Sequence, residues 1–199
     1  SWPKNVCQVN SSAFAERRIS ARGAPSLAPP TQNYSILVVR VQFPDRQFGG
    51  ADNPGVFFQK VRNYYGENSF GVFHPTFTLS SVFTLPNSMS YYGSNCGEDA
   101  SCNTSRLVAA AVVAVNPSVN FNDFDQVMIY HAGFGEESTG TESDIWSMFT
   151  NTAFSADGQS FSGATIVPEL ERNASALGVI CHEYGHQLGL PDLYDTSVS

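Results

Sequence analysis

Residues 174–189, ASALGVICHEYGHQLG, limit what this chain can fold into more than any other stretch. Leu177, Ile180, Cys181, Tyr184 and Leu188 fall on one helical stripe, Ser175 or Asn173 can cap its start, and Gly189 can end it. The pattern predicts an amphipathic helix over residues 175–188 with its apolar side in a core. His182 and His186 are four positions apart, so they lie about 40° apart around the axis and can reach one ion from the same side.

Zinc in hydrolases takes three protein ligands and keeps one position for water, whose pKa falls to about 7 on the metal. Glu183, beside the first histidine, is then placed to act as general base and later as general acid toward a leaving amine. Gly189 lets the chain leave the helix sharply, and the hard oxygen of Asp192 is the first candidate for the third ligand. Asp195 competes with it, and either carboxylate can instead hold a histidine tautomer from outside. A bare H-E-x-x-H recurs by chance on unrelated helices; the stripe, the terminating glycine and the following aspartate together favour metal.

The rest of the chain is compatible with a packed domain. Of 199 residues, 42% are hydrophobic and 14% charged, which places the chain among globular proteins. Ten basic against eighteen acidic residues, for a net charge of -8, argue against nucleic acid as a partner. Residues 107–115 form the longest apolar run, about half of the roughly 20 residues a membrane-spanning helix needs. The chain starts at Ser1, as it would after loss of a targeting segment, so we expect an oxidising, extracellular setting. A local disulfide is expected between Cys96 and Cys102. That leaves Cys7 and Cys181, with Cys7 a thiol, a disulfide partner, or a thiolate that blocks the metal in a latent form.

Residues 1–33, rich in Pro, Ala and Ser, are expected to form an extended N-terminal arm, a remnant of a pro-segment, and residues 34–199 one domain. Strands are predicted at 34–43, 77–85 and 126–130, with a hairpin over 153–167. Helices are predicted at 53–65, with Val56, Phe57, Val61 and Tyr64 inward, and at 107–115, with Ser105 as cap. The order implies an α/β (α+β) fold with a mixed sheet. His131 is expected to follow its strand near the cleft, and His74 to be partly buried. Glu136, Glu137, Glu142 and Asp144 offer hard oxygens to calcium, against a competing reading as a solvated loop.

The run from His182 to Asp192 resembles the extended H-E-x-x-H-x-x-G-x-x-H/D signature of metzincin metalloproteases. The continuation GLPDLYD, with VQFPD, YYGENSFG, TLPNSMSYYG and YHAGFGEEST, is similar to the catalytic domain of immune inhibitor A-type secreted peptidases. That resemblance implies a zincin-like domain with a twisted mixed sheet and an active-site helix. It also implies Zn2+ on His182, His186 and Asp192, Glu183 as base, and protein or peptide substrates outside the cell. The family's calcium loop has no full counterpart, since Asn122-Asp123-Phe124-Asp125 is too short, and calcium is left unassigned. Met89, Met128 and Met148 all precede the third ligand, so the methionine turn that floors such sites is expected from a further segment or chain. The alternative is a catalytically idle zinc-binding fragment with a structural, adhesive or assembly role.

Overall fold

The computed structural model describes residues 33–49 and 53–192. The predicted arm, Cys7 and Asp195 therefore lie outside the described residues, apart from Asn33.

The framework is a five-stranded sheet. β1 (Ser35–Gln42), β2 (Thr76–Thr84), β3 (Gln126–Phe134) and β7 (Ala164–Leu170) run parallel in the order β2-β1-β3-β7, and β4 (Met148–Thr150) closes the far edge antiparallel to β7. The near-continuous apolar runs of β1 and β3 follow from burial on both faces. Alternate residues feed two cores. Leu37, Val39, Val41, Val127 and Ile129 face one side with Leu107 and Val108 of α3 (Thr104–Val115). Ile36, Val38, Met128 and Tyr130 face the other, against α1 (Pro54–Asn68) and α5 (Leu177–Gln187). The site helix therefore lies on one face of the sheet, as a mixed α/β fold requires.

Several expectations change in detail. In α1 the inward residues are Phe57, Phe58, Val61 and Tyr65, while Val56 is 59% exposed. The helix packs on the sheet and against α5, so the stripe follows the 57/58, 61, 65 spacing, and Asn53 caps it by accepting from Gly55 and Val56. Ser105 lies inside the first turn of α3; Asn103 precedes that helix, and its amide donates to the Ser94 carbonyl at 2.7 Å. The Cys96–Cys102 disulfide closes the loop beneath it. The hairpin is shorter than expected, β5 (Phe154–Ala156) pairing with β6 (Gln159–Phe161), because residues 164–167 belong to the central strand β7. The short helices α2 (Met89–Gly93) and α4 (Glu136–Thr139) follow β2 and β3.

His131 is inside β3 rather than after it. It is fully buried beside Phe43, its Nδ1–H donates to the Ala132 carbonyl at 3.1 Å, and its Nε2 has no hydrogen-bond partner. It points into the core opposite the site helix, so it takes no part in the site. Burial lowers its pKa to about 4. The folded state thus refuses a proton that the unfolded chain accepts near pH 6.5, and stability present above that pH is lost as pH falls toward 4. Relative to His131→Leu, the wild type is expected to lose about 3 kcal/mol of unfolding free energy between pH 6.5 and 4 in urea titrations. Parallel pH curves for the two proteins would contradict this.

Candidate metal centre

α5 is fastened to its surroundings at successive turns. Tyr65 Oη donates to the Cys181 carbonyl at 2.6 Å, and Tyr184 Oη donates to Gln126 Oε1 at 3.0 Å. Near the helix end Thr165 Oγ1 donates to Gln187 Oε1 at 2.5 Å. Tyr184 is completely buried and meets the rings of Tyr65 and Phe77 edge-on. With one side locked to sheet and α1, the opposite side of α5 holds His182 and His186 in fixed orientation.

The helix ends where the sequence predicts. Gly189 has φ 89°, a left-handed conformation that glycine adopts without strain. Leu190 N–H reaches back to the Gly185 carbonyl at 3.0 Å and Gly189 N–H to His186 at 2.9 Å, the pair of bonds of a Schellman cap. This reversal carries Asp192 back under the helix. Asp192 Oδ1 lies 3.2 Å from Nε2 of His182 and 3.2 Å from Nε2 of His186, and the two nitrogens are 3.0 Å apart.

Those three distances carry a chemical constraint. His186 Nδ1 faces the Leu190 carbonyl at 2.9 Å, so that nitrogen is the donor and Nε2 presents a lone pair to the group opposite. Burial and the neighbouring His186 lower the pKa of His182, against the pull of Asp192, which favours the neutral form of the His182 ring. Ligands about 2.0–2.1 Å from a tetrahedral zinc stand about 3.3–3.4 Å from one another, close to the observed triangle. Among the described residues this is the set of three His, Cys, Asp or Glu side chains whose ligand atoms lie within 4.8 Å of one another. Both histidine side chains are 25% exposed and that of Asp192 37%, so the cluster opens to solvent on one side.

Glu183 is 5% exposed and lies between this cluster and the sheet edge. Its Oε2 accepts from Phe149 N–H of β4 at 3.1 Å, while Oε1 is 3.8 Å from His182 Nε2. Burial raises its pKa well above the usual carboxylate range, helped by the charges of Glu137 and Asp192 and opposed by the Phe149 N–H. A carboxyl group with that proton affinity, aimed beside three converging ligands, suits acid-base work.

The acidic loop does not converge in the same way. Glu136 accepts from Asn95 Nδ2 at 2.8 Å, Glu137 engages Ser147, and Asp144 accepts from Thr139 at 2.7 Å. These three carboxylates have separate partners within the loop and its neighbours, so no shared calcium position is assigned to it. His74 is partly buried, as expected, with its ring against Gly66. The partners of Glu183 and Gln187 escape sequence reasoning because they come from strands distant along the chain.

Comparison with known proteins points the same way. The family model described as immune inhibitor A peptidase M6, catalytic domain, matches residues 33–137 and 125–199. The pre-pro-metalloprotease PrtV of Vibrio cholerae is 29% identical over 192 residues, covering 77% of this chain and 21% of the relative. Immune inhibitor A of Bacillus thuringiensis is 29% identical over 181 residues, covering 71% of this chain and 26% of the relative. The chain thus spans about a fifth to a quarter of the length of these curated relatives.

Proposed function

Because the chain belongs to the immune inhibitor A peptidase family, we propose that it supplies the catalytic centre of a secreted zinc endopeptidase. In this reading His182, His186 and Asp192 hold the metal and Glu183 is the general base. The observation that carries it is the convergence of three ligand atoms within 3.0–3.2 Å, with a nearly buried carboxylate beside them. When bound, zinc supplies Lewis acidity, polarising a peptide carbonyl and making water acidic near neutral pH.

The chain's own residues account for the proton movements. Glu183 keeps Oε2 on the Phe149 N–H and leaves Oε1 facing the cluster, where it takes a proton from the attacking water. Its raised proton affinity lets it hold that proton and pass it to the leaving nitrogen. The Nδ1–H bond from His186 to the Leu190 carbonyl fixes the ring orientation that ligation needs.

Protein substrates outside the cell are part of this reading, supported by relatives named as a metalloprotease and an immune inhibitor. Among the described residues, no helix is long and apolar enough to cross a membrane. The test is casein cleavage by the zinc-loaded protein, with a chelator and zinc re-addition. Loss with the chelator and recovery with zinc are expected. Bound zinc with intact casein would instead favour the idle, structural fragment.

A further inference from the structure

The far edge of the sheet is capped by two glutamates. β4 is the last strand, so the N–H groups it directs away from β7 have no strand to receive them. Phe149 N–H goes to Glu183, as described. Two residues earlier, Ser147 N–H goes to Glu137 Oε2 at 3.1 Å, and Ser147 Oγ donates to Glu137 Oε1 at 2.5 Å. Residues two apart along a strand direct their N–H groups to the same side, about 7 Å apart, so one short stretch of backbone carries both carboxylates.

The Glu137 end of this arrangement is built with care. Ser147 is 2% exposed, so its bonds to Glu137 do not compete freely with water. Gly135 leaves the space the carboxylate occupies, since a Cβ there would collide with Glu137 Oε1. Glu136 N–H donates to the Ile145 carbonyl at 3.1 Å, which fixes α4 against the strand leading into β4. Behind it stands Glu171, its pKa pushed up to about 9 by burial and then by the neighbouring Glu137. Glu137 is thus oriented from three sides and grips the residue that enters β4.

We propose that Glu137 is a positioning residue for Glu183, acting through Ser147 and β4 rather than by touching substrate. By holding Ser147 it sets where Phe149 N–H stands, and that N–H sets which oxygen of Glu183 faces the metal cluster. The inference rests on the zinc peptidase reading for its kinetic consequence, but the hydrogen-bond geometry stands without it.

The experiment compares wild type, Glu137→Ala and Glu137→Gln as full-length protein. With zinc bound, Glu137→Ala is expected to lower kcat on a fluorogenic peptide about 10- to 100-fold with KM nearly constant and zinc retained. Hydrogen exchange at the Phe149 amide, measured with and without zinc, is expected to rise about tenfold or more. Glu137→Gln keeps an acceptor for Ser147 and is expected to recover most of both effects. Unchanged kcat and exchange in Glu137→Ala would overturn the proposal. So would a loss of kcat that tracks lowered Tm and lost zinc, with no recovery in Glu137→Gln. If the wild type cleaves nothing, the peptidase reading falls, and Phe149 exchange alone still decides whether Glu137 positions Glu183.

Discussion

Glu183→Gln is expected to lower kcat/KM for peptide cleavage about 10³-fold while zinc stays stoichiometric. The amide has nearly the shape of the carboxylate, so the packing around a side chain that is 5% exposed survives. Its carbonyl still accepts from Phe149 N–H, but the group can no longer take a proton from water. The same change removes a buried acid whose charged form is opposed by burial, Glu137 and Asp192. Without metal the variant is therefore expected to melt higher than wild type at neutral pH. The sign follows from the raised pKa of the metal-free site: there the folded state keeps a proton that the unfolded chain gives up, so stability drops as pH rises above the ordinary carboxylate range, whereas a bound dication favours the carboxylate that accepts a proton from water. Peptide kinetics, zinc content and Tm on one preparation check all three parts. Loss of zinc in this variant would place Glu183 among the ligands instead.

Zinc binding is expected to stabilise the folded state measurably. At a free zinc concentration near 1,000 times the dissociation constant, binding to the folded state contributes about 4 kcal/mol. Calorimetric melting is expected to show that gain in the wild type and to lose it in His186→Ala. His186 is partly exposed and its ring is not part of either core, so the metal-free variant should melt close to metal-free wild type. An equal zinc-induced shift in His186→Ala would show that the ion binds elsewhere. An unfolded variant without zinc would show that the ring does more than ligate.

The site was legible because its parts are local. The helix, the glycine that ends it and Asp192 occupy one continuous segment, and the left-handed Gly189 and its two capping bonds follow from that order alone. The central strands were legible for a different reason: β-branched runs buried on both faces have few other places to go. What escaped depends on long-range pairing. Residues 164–167 read as a hairpin arm because alternation cannot say which strand is the partner, and the structure places them between β3 and β4. Val56 read as inward because its spacing fits a helix, yet Phe58 is the residue that packs inward, its ring against Phe77 of β2 and Tyr130 of β3. His131 continues the alternation of Val127 and Ile129, but a histidine at that position does not announce full burial, and Glu137 carries no periodic signal. Their surroundings come from strands and loops far away in sequence, so burial and hydrogen bonding had to be seen.

The central claim is that two imidazoles and one carboxylate, from His182, His186 and Asp192, hold a zinc ion. X-ray absorption at the zinc edge of the zinc-loaded protein tests it most directly. The account predicts stoichiometric zinc with two imidazole nitrogens at about 2.0–2.1 Å, the remaining ligands oxygen, and no sulfur. A ligand at about 2.3 Å, the distance of a thiolate, or failure to load zinc at all, would contradict it.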